Sequence, residues 1–121
     1  MEKFKYNTID EAIAAIKAGQ MVLVTDDEDR ENEGDLIMAA ELCTPEAINF
    51  MAKEARGLIC MPADSEVMDK LQFGAMVTHN TDNHETAFSV SIDHVDTTTG
   101  ISAYERAYTC LLYTSPSPRD A

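Results

Sequence analysis

Apolar residues recur along this chain with two periods, and the period changes at turn residues. Ile9, Ala12, Ile13 and Ile16 fall on one face of a helix. Thr8 and Glu11 frame its start as a capping box, and Gly19 marks its stop. Residues 21–25 are apolar almost throughout and predict a strand buried on both faces. A second strand follows at 35–40. Thr44 then reads as an N-cap before Pro45, with Ile48, Met51, Ala52 and Ala55 at helical spacing up to Gly57. Residues 58–61 predict a short strand, and Ser65 is expected to cap a brief helix through Leu71. The stretch 74–85 has little periodicity and reads as a polar loop holding His79, Asn80, Thr81, Asp82, Asn83 and His84. Residues 86–93 alternate, with Phe88, Val90 and Ile92 on one side, as in a strand with one apolar face. A threonine-rich turn at 97–100 precedes a second capping box, Ser102 with Glu105, which opens the last helix. Helical and strand patterns thus alternate along the chain.

Between the first two strands lies DDEDRENEGD, residues 26–35, with seven carboxylates and one arginine. Like charges so close repel unless the loop is solvated, some carboxylates take up protons, or a cation sits among them. Glu31 and Glu33, two apart, share a side if the segment is extended, and such hard oxygen donors suit Mg²⁺ or Mn²⁺. An EF-hand does not fit. Counting from Asp29, the twelfth position is Ala40 where a bidentate glutamate is required, and strands flank the loop. Arg30 reads equally as a structural ion pair or as a donor to a substrate hydroxyl or phosphate. Cys60, in an apolar run, reads as a small buried hydrophobe. The 97–100 turn reads first as an ordinary cap, and second as a source of hydroxyls and amides for a phosphate.

Size and charge narrow the partners. The chain has 121 residues, one domain at most. A net charge of −13 argues against a nucleic-acid backbone or an anionic membrane. No apolar run approaches the roughly 20 residues that span a bilayer. Cys43, Cys60 and Cys110 lack metal-ligand spacing and fit reduced thiols in a cytoplasmic protein. The final stretch, 110–121, with its Ser-Pro-Ser-Pro run, resembles translated sequencing adapter and is expected to be non-native.

The acidic loop strongly resembles the signature of the 3,4-dihydroxy-2-butanone 4-phosphate synthase family. Further blocks match in order: Gly57-Leu58-Ile59-Cys60, Asn80-Thr81-Asp82, the run 86–93, and Thr98-Thr99-Gly100-Ile101-Ser102-Ala103 with Arg106. The likeness covers about 4–109, an N-terminal part of the family's domain. It implies an α/β (α+β) fold, a layered mixed sheet with flanking helices, here incomplete at the C-terminal side, and a homodimeric, Mg²⁺-dependent (or Mn²⁺-dependent) lyase of riboflavin biosynthesis. That lyase converts ribulose 5-phosphate to 3,4-dihydroxy-2-butanone 4-phosphate and formate. By position, Glu31 is then a metal ligand that also meets the substrate, and Glu33 and Cys60 belong to the catalytic set. Asp26, Arg30, Asp35 and Thr99 are substrate contacts. The family's later segments, R-P-G-H and R-x-G-H-T-E, are not in this sequence, so the chain by itself is expected to be inactive. The alternative is a non-catalytic acidic metal-binding fragment. A third reading, an acidic interaction surface, rests on net charge alone.

Overall fold

The structure is a computed structural model and describes residues 5–70 and 88–111. Helix α1 spans Ile9–Lys17. Both arms of its capping box form: the Glu11 amide donates to Thr8 Oγ1 at 3.1 Å, and the Thr8 amide donates to Glu11 Oε1 at 2.9 Å. At the other end Gly19 takes φ +80°. The Gly19 and Gln20 amides there reach back to the Ile16 and Ala15 carbonyls at 3.0 and 2.9 Å. This crossed pair of bonds is what a left-handed glycine permits at a helix C-terminus.

Strands β1 (Val22–Thr25) and β2 (Gly34–Ile37) form an antiparallel pair. Val22 faces Ile37, Leu23 faces Leu36, Val24 faces Asp35 and Thr25 faces Gly34. This register brings the two ends of the acidic decapeptide together, so the loop becomes a hairpin tip. The expectation that β1 is buried on both faces fails: Leu23 is 67% exposed and Val24 45%. The sheet has two strands among the described residues, so neither face of β1 has a full layer over it. β2 also ends three residues earlier than expected, because Ala40–Leu42 turns into a 3₁₀ segment.

Helix α2, Pro45–Phe50, is capped by Thr44, whose Oγ1 accepts the Ala47 amide at 3.1 Å. It continues as a π-helical turn over Met51–Ala55. The wider turn closes with the Arg56 amide on the Met51 carbonyl at 2.9 Å. It leaves Arg56 at φ 61°, ψ −157°, a region that side chains disfavour. Gly57 follows at φ +67°. Helix α3 spans Ser65–Lys70, one residue short of the expected Leu71, which lies outside the described residues. Its cap is Asp64 rather than Ser65, since Asp64 Oδ1 accepts the Val67 amide at 2.9 Å. An ionised carboxylate is the stronger acceptor of two adjacent capping residues.

Helix α4, Ala103–Cys110, packs across α2. The core lies between them: Cys43, Ile48 and Ala107 are buried, with Met38, Ala47, Met51, Ile59, Ala103 and Cys110 against them. Residues 58–61 form no strand, and Leu58 is 81% exposed, for want of a neighbouring strand among the described residues. In the expected strand 86–93, residues 86 and 87 lie outside the described residues and only Ser89 makes an isolated bridge. The polar loop with His79 and His84, and residues 112–121 of the tail, also lie outside them. Helices with an antiparallel hairpin give the mixed α/β class that the resemblance implies.

Candidate active site

The hairpin tip is organised by Asp26. Its Oδ1 accepts the Glu33 amide at 2.8 Å, and its Oδ2 accepts the Glu31 amide at 3.1 Å. Oδ2 also accepts Arg30 Nη1 at 3.0 Å. The backbone adds a rung from the Asp26 amide to the Glu33 carbonyl, 3.3 Å. One carboxylate therefore replaces the partners that the loop's own amides lack, and the loop curls round it. The Glu33 amide foremost, then the Glu31 amide and the Arg30 guanidinium, hold the Asp26 carboxyl below its ordinary value.

Arg30 joins two acids. Its Nη1 meets Asp26 and its Nη2 meets Glu31 Oε1, each at 3.0 Å, with half of the side chain still in solvent. These carboxylates, with Asp35 beyond them, raise the guanidinium's pKa further. Arg30 is thus an ion pair in this structure and keeps exposed N–H donors besides. Glu31 and Glu33 do not lie along one extended run. Residues 28–31 form a turn and Asn32 adopts φ 53°, which breaks the alternation that would put both side chains on one side. Asp35 sits on β2 opposite Val24, exposed.

The other two expected site residues take no part in the bonds of the tip. Cys60 is exposed, which overturns its reading as a buried hydrophobe. Thr99 lies in the 97–100 turn before α4. That turn borders an open cleft of about 680 Å³ with Asp96, Ser102, Tyr104, Glu105 and Tyr108 on its walls. Two carboxylates and no cation line this cleft, so a phosphate there needs positive charge from outside these residues. No hydrogen bond or ion pair joins the turn to the acidic tip among the described residues. Hydrogen bonds and ion pairs join Asp26, Arg30, Glu31 and Glu33, with Asp35 in the charge field, and among the described residues none ties Cys60 or Thr99 to them.

Glu105 is the residue the sequence pattern misplaced. Half of its expected capping box forms: Ser102 Oγ accepts the Glu105 amide at 3.1 Å. The Glu105 carboxylate does not return to Ser102. It accepts the Thr98 amide in a short bond, Thr98 Oγ1 at 3.0 Å and the Gly100 amide at 3.1 Å. The Thr98 amide foremost lowers its pKa. A glycine two residues ahead of the cap, which folds the turn over the helix start, was the available signal.

The donors at the tip are the oxygens a hard divalent cation takes. Their number falls short: no group of three or more His, Cys, Asp or Glu side chains among the described residues converges to hold a metal. Glu31, the expected ligand, is already paired with Arg30.

Residues 10–120 match the family model of 3,4-dihydroxy-2-butanone 4-phosphate synthase. The chain belongs to this family. It is 55% identical over 117 residues to the riboflavin biosynthesis protein RibBA of Bacillus subtilis, and 54% identical over 114 residues to that of Bacillus mycoides. It spans 29% of the length of each. A crystal structure of a 3,4-dihydroxy-2-butanone 4-phosphate synthase in complex with two magnesium ions superposes with a TM-score of 0.85 at 45% identity. That match covers 95% of this chain and 53% of that one. The two-domain synthase RibBX of A. baumannii gives 0.81 at 44% identity, with 94% and 34% covered. The family domain is therefore present as an N-terminal part. Among the described residues no helix is long and apolar enough to cross a membrane.

Proposed function

We propose that this chain supplies the acidic-loop half of a lyase site that takes ribulose 5-phosphate to 3,4-dihydroxy-2-butanone 4-phosphate and formate, and that alone it has little or no turnover. The observation that carries the reading is the hairpin tip, where Asp26 fixes the backbone at Glu31 and Glu33 and holds Arg30. Enolisation of a ketose phosphate needs a base beside the carbon that loses its proton. Glu33 offers an exposed carboxylate on an anchored backbone. Arg30 and Asp35 supply a donor fork and an acceptor for sugar hydroxyls. Asp26, read from the sequence as a substrate contact, has both oxygens engaged by the loop and acts by holding it. Cys60 and Thr99 are wall residues in this proposal. The donors' chemistry suits Mg²⁺ or Mn²⁺, but a bound ion needs ligands beyond the described residues, with Glu31 one of the set. The same shortage weighs against a self-sufficient metal-binding module.

The test is a graft. Residues 5–109 replace the matching segment of the Bacillus subtilis relative, and formate release from ribulose 5-phosphate is measured with Mg²⁺. The graft is expected to turn over, and its Glu33→Gln form to lose at least ~100-fold in kcat, the scale of general acid–base catalysis. A folded graft whose Glu33→Gln form keeps full activity contradicts the role of Glu33.

A further inference from the structure

The turn that carries Thr99 is held from one side by α4. His94 donates its amide to Thr109 Oγ1 at 3.0 Å, and Thr109 in turn donates to the Glu105 carbonyl at 3.1 Å. Thr97 closes on the His94 carbonyl through both its amide, 3.0 Å, and its hydroxyl, 2.6 Å. Four residues earlier on the same helix, Glu105 binds the residues on either side of Thr99: Thr98 through amide and hydroxyl, Gly100 through its amide. Thr99 itself makes no hydrogen bond among the described residues and is exposed. Gly100 is buried at φ +74°, and a Cβ there would collide with the Asp93 carboxylate. The turn is therefore fixed by its neighbours, while the one residue between them keeps its amide and hydroxyl unspent at the cleft.

We infer that Glu105 is a positioning residue for Thr99: its carboxylate grips Thr98 and Gly100 so that the Thr99 amide and hydroxyl stay presented to a bound substrate. The inference rests on the proposed substrate role of Thr99 and adds the group that makes it possible. A carboxylate is the fitting clamp. It accepts two diverging amides and a hydroxyl at once, and charge-assisted bonds are about twice as strong as neutral ones. The clamp also consumes the turn's flanking amides, which leaves the threonine, not the amide pair, as the contact for a ligand.

The experiment uses the ¹⁵N-labelled 121-residue protein, titrated with ribulose 5-phosphate in the presence of Mg²⁺ and read by backbone amide shifts. Wild type, Glu105→Gln and Glu105→Ala are compared, with melting curves for each. In the wild type the Thr98 and Gly100 amides are expected far downfield, and the Thr99 amide is expected to move with ligand. Glu105→Ala should return Thr98 and Gly100 upfield and weaken the Thr99 response by ~tenfold, the scale of one lost charge-assisted bond. Glu105→Gln, which keeps an acceptor of the same shape, should restore part of that response. If Thr99 responds equally in Glu105→Ala and wild type, the positioning role is wrong. If Thr99 is silent in the wild type while Thr98 and Gly100 are downfield, the substrate role of Thr99 fails and the positioning role falls with it. A variant that melts early leaves the Gln form to decide.

Discussion

At the scale of residues, two carboxylates are engaged in local bonds that sequence spacing does not show. Asp26 and Glu105 have the same role in different places: each gathers stray amides onto one carboxylate. Both carboxyls are held below their ordinary values of 3.8 and 4.5. The sign follows from linkage: their stabilisation is present above those values and is lost as pH falls through the lower folded values. Melting temperature should therefore hold from neutral pH to about pH 5 and drop below pH 4. Asp26→Asn and Glu105→Gln should both flatten that drop. Arg56 offers an opposite case. Its φ 61°, ψ −157° is a glycine conformation, so Arg56→Gly removes ~1–3 kcal/mol of strain against ~0.5–1 kcal/mol of added chain entropy. A net gain of about 1 kcal/mol is expected by urea unfolding. Gly100→Ala runs the other way, with a measurable loss, because φ +74° strains any residue that carries a Cβ.

At the scale of elements, what could be read from sequence was whatever is decided within four residues. The Thr8–Glu11 box, the Thr44–Pro45 start and the Gly19 stop stand where the pattern puts them, because each is settled by its own near neighbours. The α3 cap shifted by one residue since Asp64 and Ser65 compete for the same amides. The Ser102 box formed by half because a threonine turn, folded back from outside the helix, took the Glu105 carboxylate. Strands were less legible. Residues 58–61 have strand-forming side chains but no partner beside them, and pairing is not a local property. The acidic loop was legible as a candidate site through the order of residues that carries the family resemblance, whereas its internal order, with Asp26 at the hub and Asn32 at φ 53°, required the backbone. The helix pair α2 and α4 holds the main core, and Ile48 is 2% exposed within it. Ile48→Ala should cost ~2–5 kcal/mol in chemical unfolding, against well under 1 kcal/mol for truncating exposed Ile9.

At the scale of the molecule, the balance of core to surface is the telling feature. Among the described residues three are buried in the hydrophobic core, while Leu23, Val24, Ile37, Leu58, Phe88 and Val90 are all substantially exposed. Apolar strands with bare faces are association surfaces. The chain covers 53% of a solved synthase that it otherwise resembles closely, and 29% of its Bacillus relatives. Purified protein is expected to sediment above its 13.3 kDa monomer mass and increasingly so with concentration. The site has the same character as the core. Its tip is internally ordered, its acids and arginine are in place, and the ligand set for a cation is not complete among the described residues. The direct test is formate release by the purified 121-residue chain supplied with ribulose 5-phosphate and Mg²⁺. The account predicts none above background, because the acidic tip and the threonine turn are parts of a larger constellation; clear turnover by this chain alone would contradict it.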